Sequence, residues 1–215
     1  MSDELIDIYD GNMNHLGTAP RSQAHREGLW HKAFHCWIVK RASDGRHRVL
    51  LQLRSKNKDT HPSLLDISAA GHLKAGEQPR DGIKNIEEEL GIKVDFDKLN
   101  KLFTINHVFE RNGYINHEFN PTYLLETDKN LSELSMNPNE VDGVLEATID
   151  DLRNLFSHKV DYIYVSGLLL DEYENYVPHT GSVSVSDFVP HEDSYYVKVM
   201  DTVRRYFDNP QKLAV

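Results

Sequence analysis

A chain of 215 residues that is 39% hydrophobic and 27% charged is long enough to bury a sizeable core as a single domain. Its net charge of -10 argues against sequence-independent nucleic-acid binding, which relies on many Lys and Arg facing phosphates, while a small anion arriving with its own divalent cation is compatible with it. No window approaches the roughly 18 consecutive apolar residues of a membrane helix, and the acidic start MSDELID is unlike a secretory signal, so the chain reads as cytoplasmic.

In chain order, Leu5 to Tyr9 reads as a short strand, followed by an Asp-Gly-Asn turn and a second extended piece ending at Pro20. Ser22 is the expected N-cap of a short helix that Gly28 ends, with His25 and His31 bracketing it. AFHCWIVKR and RVLLQLRSK then predict a hairpin around SDGRH. The lone Cys36 lies in its apolar run and reads as a small buried hydrophobe. A loop leads into DISAAGHL, and QPRDGIKNIEEELGI is a helix with Pro79 near its first turn and Gly91 past its end. Two strands follow around the turn ERNG, then a polar surface loop. Asp150 is the expected cap of the helix after VLEAT, DYIYVSGLLLDEYENYV is read as helical, and VPHTGSVSVSDFVPHED as a loop. A last helix places Val197, Met200, Val203 and Phe207 on one side.

The stretch from Asp66 to Ile92 carries the chemistry. Ile83, Ile86 and Leu90 form an apolar stripe, while Asn85, Glu88 and Glu89 fall opposite at i, i+3, i+4 spacing. Carboxylates on such a helix suit Mg²⁺ or Mn²⁺, which bind through a few acids and the substrate's phosphates; a solvated acidic face is the alternative.

Gly71, five residues, Glu77, and a helix ending Glu-Glu-Leu-Gly-Ile resemble the Nudix box, the signature of a family that hydrolyses diphosphates linked to another group. Aligned from its end, Ile86, Glu88, Glu89, Gly91 and Ile92 fit, but Lys84 stands for the usual Arg and Asn85 for the first Glu, and the interval after Glu77 is one residue short. Lys84 keeps the charge without the bidentate fork, and Asn85 offers a metal only a neutral oxygen. The resemblance implies a Nudix α/β/α sandwich with a mixed central β-sheet over residues 1–215. Residues 1–30 would be an N-terminal extension, 71–92 the box, and 151–215 a C-terminal helical segment.

Across most of residues 4 to 150 the chain is similar to the branch containing type I isopentenyl-diphosphate isomerase, through DIYDGNMNHLGTAPRSQAHREGLWHKAFHCWIV, LLQLRSKNKDTHPSLLDISAAGHLKAGE and NHEFNPTYLLE. That branch's metal ligands fall on His25, His31, His72 and Glu118, a second acid falls on Asn116, and the catalytic cysteine falls on Ala70. The resemblance implies Glu88, Glu89 and Glu118 as catalytic and metal-binding residues with Glu77, and Gly71, Lys84 and Arg54 as substrate contacts. Glu118, or hydroxide on the metal, is the expected activator of water. A small-molecule diphosphate is the implied substrate, and a homodimer a family-level expectation. Three functions stay open: a Mg²⁺- or Mn²⁺-dependent diphosphohydrolase, an isomerase, and a domain that binds a nucleotide or metabolite without turnover.

Overall fold

The computed structural model describes residues 3–42, 44–111, 114–191 and 193–208. β1 (Leu5–Tyr9) and β2 (His15–Pro20) form a separate antiparallel pair, and α1 (Arg21–Glu27) follows. The main sheet takes β3 (His31–Arg41), β4 (His47–Arg54), β5 (Leu65–Asp66) and β6 (Ala69–His72). After α2 (Ile83–Leu90) come β7 (Asn100–Arg111), β8 (Tyr114–Glu126), β9 (Val141–Thr148), α3 (Ile149–Phe156), β10 (Ile163–Leu170), β11 (Tyr176–Val183) and α4 (Asp193–Asp208). The sheet order is β11-β10-β9-β4-β3-β8-β7, with β5 beside β4 and β6 beside β3. Among the described strand ladders only β3 with β8 is parallel, so the sheet is mixed, as the sequence predicts.

β3 is apolar on both faces because both are covered. Phe34, Cys36 and Ile38 pack in one core with Ile86 and Leu90 of α2, while Trp37 and Val39 pack in the other with Leu152, Phe156, Val199 and Val203 of α3 and α4. Burying a side chain of that size contributes about 1.5–3 kcal/mol. Phe156 and Tyr196 stack at 3.8 Å between ring centroids, joining α3 to α4. Two partners share one edge of β3: β6 pairs with Ala33 to Cys36, and β4 with Ile38 to Arg41. Where they part, the buried Ser68 accepts from Ile38 N at 2.8 Å and donates to Leu50 O at 2.5 Å.

Several local expectations are corrected. Ser22 does not cap α1, whose N-cap is Pro20; its hydroxyl donates to Asp3 Oδ2 at 2.5 Å. Gly28 ends α1 as expected, at φ 66°. Thr148 rather than Asp150 caps α3, its Oγ1 accepting from Asp151 N at 3.1 Å. The buried face of α4 runs through Tyr195, Tyr196, Val199, Met200 and Val203, and Val197 and Phe207 flank it. On α2 the presumed solvent face is half buried: Asn85 and Glu89 are enclosed with Ile86 and Leu90, while Glu87 and Glu88 are exposed. The turn residues Asn112 and Gly113, and Ser43 in the β3–β4 turn, lie outside the described residues.

The largest correction lies in residues 151–215, where the helical reading of 161–177 gives way to the β10–β11 hairpin. Ile163 and Val165 are buried while Tyr164 between them is 75% exposed, a strand's alternation. Asp171 Oδ1 accepts from the backbone N–H groups of Tyr173 and Asn175, both at 2.8 Å, and closes the turn. No helix among the described residues is long and apolar enough to cross a membrane.

Gly167 gives the hairpin a test of opposite sign from a helix. A Cβ there would sit 2.1 Å from Val144 O and 2.8 Å from Leu145 Cα. Gly167→Ala should therefore destabilise by about 1–3 kcal/mol in urea unfolding, whereas in a helix the same change stabilises by about 1 kcal/mol.

Candidate active site

Four side chains converge from four elements. His25 comes from α1, His31 opens β3, His72 ends β6, and Glu118 stands on β8 in register with His31. The ligand atoms of the three histidines lie within 4.8 Å of one another. His25 Nε2 is 3.2 Å from His72 Nε2, and Glu118 Oε1 is 3.6 Å from His31 Nε2 and 3.4 Å from His72 Nε2. Nδ1 of His31 sits 2.8 Å from the carbonyl oxygen of Leu29, which can only accept, so the ring proton is on Nδ1. Its Nε2 is left as a lone pair, buried and without a hydrogen-bond partner.

That orphaned nitrogen is the test of whether the site fits a metal, and it fits one. Three imidazoles and a carboxylate make a donor set for a divalent cation, with the first histidine oriented by a backbone carbonyl. Electrostatics agree: burial, reinforced by His72 and His31, lowers His25 to about 3, so its ring is neutral at ordinary pH. Burial also lowers His72, against the pull of Glu118. Burial would raise the Glu118 carboxyl, but the His31 and His72 rings against it hold it well below the usual range.

The box residues lie across β6 from this cluster. Glu88, Glu89, Asn85 and Gly71 line the same cavity of about 630 Å³ as His72 and Glu118. Glu89 is 5% exposed; its Oε2 accepts from Gln52 Nε2 at 2.9 Å and from Ala70 N at 3.2 Å, and Lys58 Nζ is 4.0 Å from Oε1. Burial raises its carboxyl to about 7 despite those partners. Among the described residues Glu77, Glu88 and Glu89 form no metal-sized cluster. Glu77 pairs instead with Lys84, and its Oε2 accepts from Lys74 N at 2.8 Å; neither Glu77 nor Lys84 lines the cavity.

Asn85 donates from Nδ2 to Gly82 O at 3.0 Å, and its Oδ1 would be 2.5 Å from a Cβ on Gly71. Gly71 is thus needed for the close approach of α2 to β6. Arg54 lines the cavity with its donors engaged: Nη1 reaches Asp66 Oδ2 at 2.9 Å, and Nε and Nη2 reach Thr60 O at 3.2 and 2.8 Å. It orders the loop over the cavity. Asn116 lines the wall with an unpartnered buried Oδ1.

The sequence reading passed over His35, Asp66 and His107, which line the cavity together with His191. The missed signal is the strand period: His35 is four residues beyond His31 on β3 and shares its face.

No protein-family model matches the chain. It is 32% identical over 201 residues to an uncharacterised Nudix hydrolase of Clostridium acetobutylicum, covering 93% of this chain and 97% of the relative. It is 28% identical over 159 residues to an isopentenyl-diphosphate Delta-isomerase of Cutibacterium acnes, covering 71% and 78%. A solved MutT/nudix family protein from Enterococcus faecalis matches with a TM-score of 0.50 over 82% of this chain and 61% of that one; at 12% identity the likeness is one of fold.

Two outcomes follow from the geometry. By titration calorimetry, His31→Gln or His72→Gln should weaken Mn²⁺ binding at least about tenfold, while Glu77→Gln leaves it unchanged. For Glu89 the folded carboxyl, at about 7, lies above its ordinary 4.5, so its contribution to stability is full below 4.5 and lost as pH rises toward 7. Glu89→Gln should therefore stabilise the protein at pH 8, by up to about 3 kcal/mol, and not at pH 4.5; urea melts at both pH values check the sign.

Proposed function

Since the chain belongs to the Nudix hydrolase family, near its isopentenyl-diphosphate isomerases, we propose that it hydrolyses a diphosphate linkage in a small molecule with a divalent cation held by His25, His31, His72 and Glu118. The observation that carries this reading is the convergence of those four side chains beside a cavity that His72 and Glu118 line together with Glu88 and Glu89. Three nitrogens and one carboxylate suit Mn²⁺ better than Mg²⁺, which prefers oxygen; Mg²⁺ would accompany the substrate's phosphates. When bound, such a cation supplies Lewis-acid charge to the diphosphate oxygens.

The protein's own groups divide the remaining work. Glu118 is a poor proton acceptor because His31 and His72 hold its carboxylate low. Glu89, at about 7 and inside the cavity, suits taking the proton of an attacking water. Lys58, beside Glu89 and paired with Glu140, brings positive charge to the anionic substrate. Isomerase chemistry lacks its thiol: position 70 is alanine, and Cys36 is fully buried in the α2-side core, where desolvation pushes its thiol far up.

Asn85, in place of the first box glutamate, favours a second reading in which the cavity binds such a molecule without turnover. A screen of nucleoside diphosphate derivatives, dinucleoside polyphosphates and isoprenoid diphosphates with Mn²⁺ and Mg²⁺ decides. Metal-dependent hydrolysis is expected, with kcat falling about 100-fold or more in Glu89→Gln. Binding of a panel member without hydrolysis would establish the second reading instead.

A further inference from the structure

His35 stands in register opposite Ala70, the position where the resemblance places a catalytic cysteine. Cross-strand partners share a sheet face, and both residues line the cavity. Ala70 leaves room beside the imidazole. His72, in the histidine cluster, is two residues along β6, about 7 Å at strand spacing, so a substrate whose phosphates lay at that cluster would bring its attached group beside His35.

A three-residue brace fixes the imidazole. Trp37 Nε1 donates to the Tyr195 hydroxyl at 3.1 Å, and that hydroxyl lies 2.9 Å from His35 Nδ1. Indole nitrogen only donates, so the tyrosine oxygen accepts there, and its own proton goes either to His35 Nδ1 or to Thr122, the hydroxyl's other neighbour. Burial, with His191 beside it, lowers His35 to about 3, and a neutral ring that accepts at Nδ1 carries its proton on Nε2. The hydrogen bond that holds the ring is at Nδ1, and the residue is only 4% exposed.

We propose that His35 is a specificity-determining hydrogen-bond donor, its Nε2–H directed into the cavity by Tyr195 and Trp37, which selects diphosphates whose attached group carries an acceptor oxygen, as a ribose does, over those bearing a hydrocarbon. A hydrocarbon there would leave the buried N–H unpaired, a loss that discriminates more strongly than added apolar contact. The proposal rests on the diphosphate reading of the cavity but not on turnover.

The test is binding of two nonhydrolysable methylene-bridged analogues to the Mn²⁺-loaded protein, one carrying adenosine and one an isopentenyl chain, by calorimetry. The wild type should prefer the adenosine analogue. His35→Leu should weaken that analogue about tenfold and leave the isopentenyl one within about twofold, and His35→Gln, which restores an N–H, should recover most of the loss. Tyr195→Phe, which keeps the packing and removes the hydroxyl, should shift the preference the same way by a smaller factor. Imidazole ¹⁵N spectra should place the His35 proton on Nε2. Equal weakening of both analogues, no change in either, no wild-type preference for adenosine, or a proton on Nδ1 would overturn the proposal. Preserved binding preference with no hydrolysis of any diphosphate defeats only the hydrolase reading.

Discussion

The parallel pairing of β3 with β8 sets the chemistry of the cavity. It brings Glu118 level with His31 and Thr122 level with His35, so that polar residues at period two on both strands meet on one face. The other edge of β3 is shared by β6 and β4, which adds His72 opposite Ala33. A one-residue slip of either ladder would turn this face into the α2-side core and send Phe34 or Cys36 into the cavity. The apolar alternation of β3 therefore holds the register of His31 with Glu118 in place.

Two buried carboxylates in this frame titrate in opposite directions for the same reason. Burial raises both, but Glu118 has two imidazoles against it, whereas Glu89 has an amide, a backbone N–H and a lysine 4.0 Å away. Environment thus keeps Glu118 ionised and lets Glu89 exchange a proton near neutrality.

Much of the sandwich was legible because its signals are local: the alternation and turns of β3, β4, β7 and β8, and the Pro79 and Gly91 boundaries of the box helix. The histidines and Glu118 came from resemblance, since residues from α1, β3, β6 and β8 converge only through long-range pairing. The β10–β11 hairpin was missed because Leu168, Leu169 and Leu170 read as a helical run; what makes them a strand is the ladder to β9, where Gly167 permits close backbone approach. His35 was missed because its meaning depends on Tyr195, 160 residues away on α4.

The departures at Lys84 and Asn85 form one coherent change. With six residues instead of seven between Glu77 and the basic position, the loop still closes through the Lys84–Glu77 pair, made by a flexible single-point cation where a planar fork is usual. The first turn of α2 then lies tight on β6, with Asn85 Oδ1 filling the space that a methyl group on Gly71 would need. A longer side chain at 85 has no room to point there. Glu89, one turn on and on the same side of the helix, keeps its carboxylate reaching Ala70 N across β6. The box has given its first acidic position to packing while the charge facing the cavity is carried by Glu88 and Glu89.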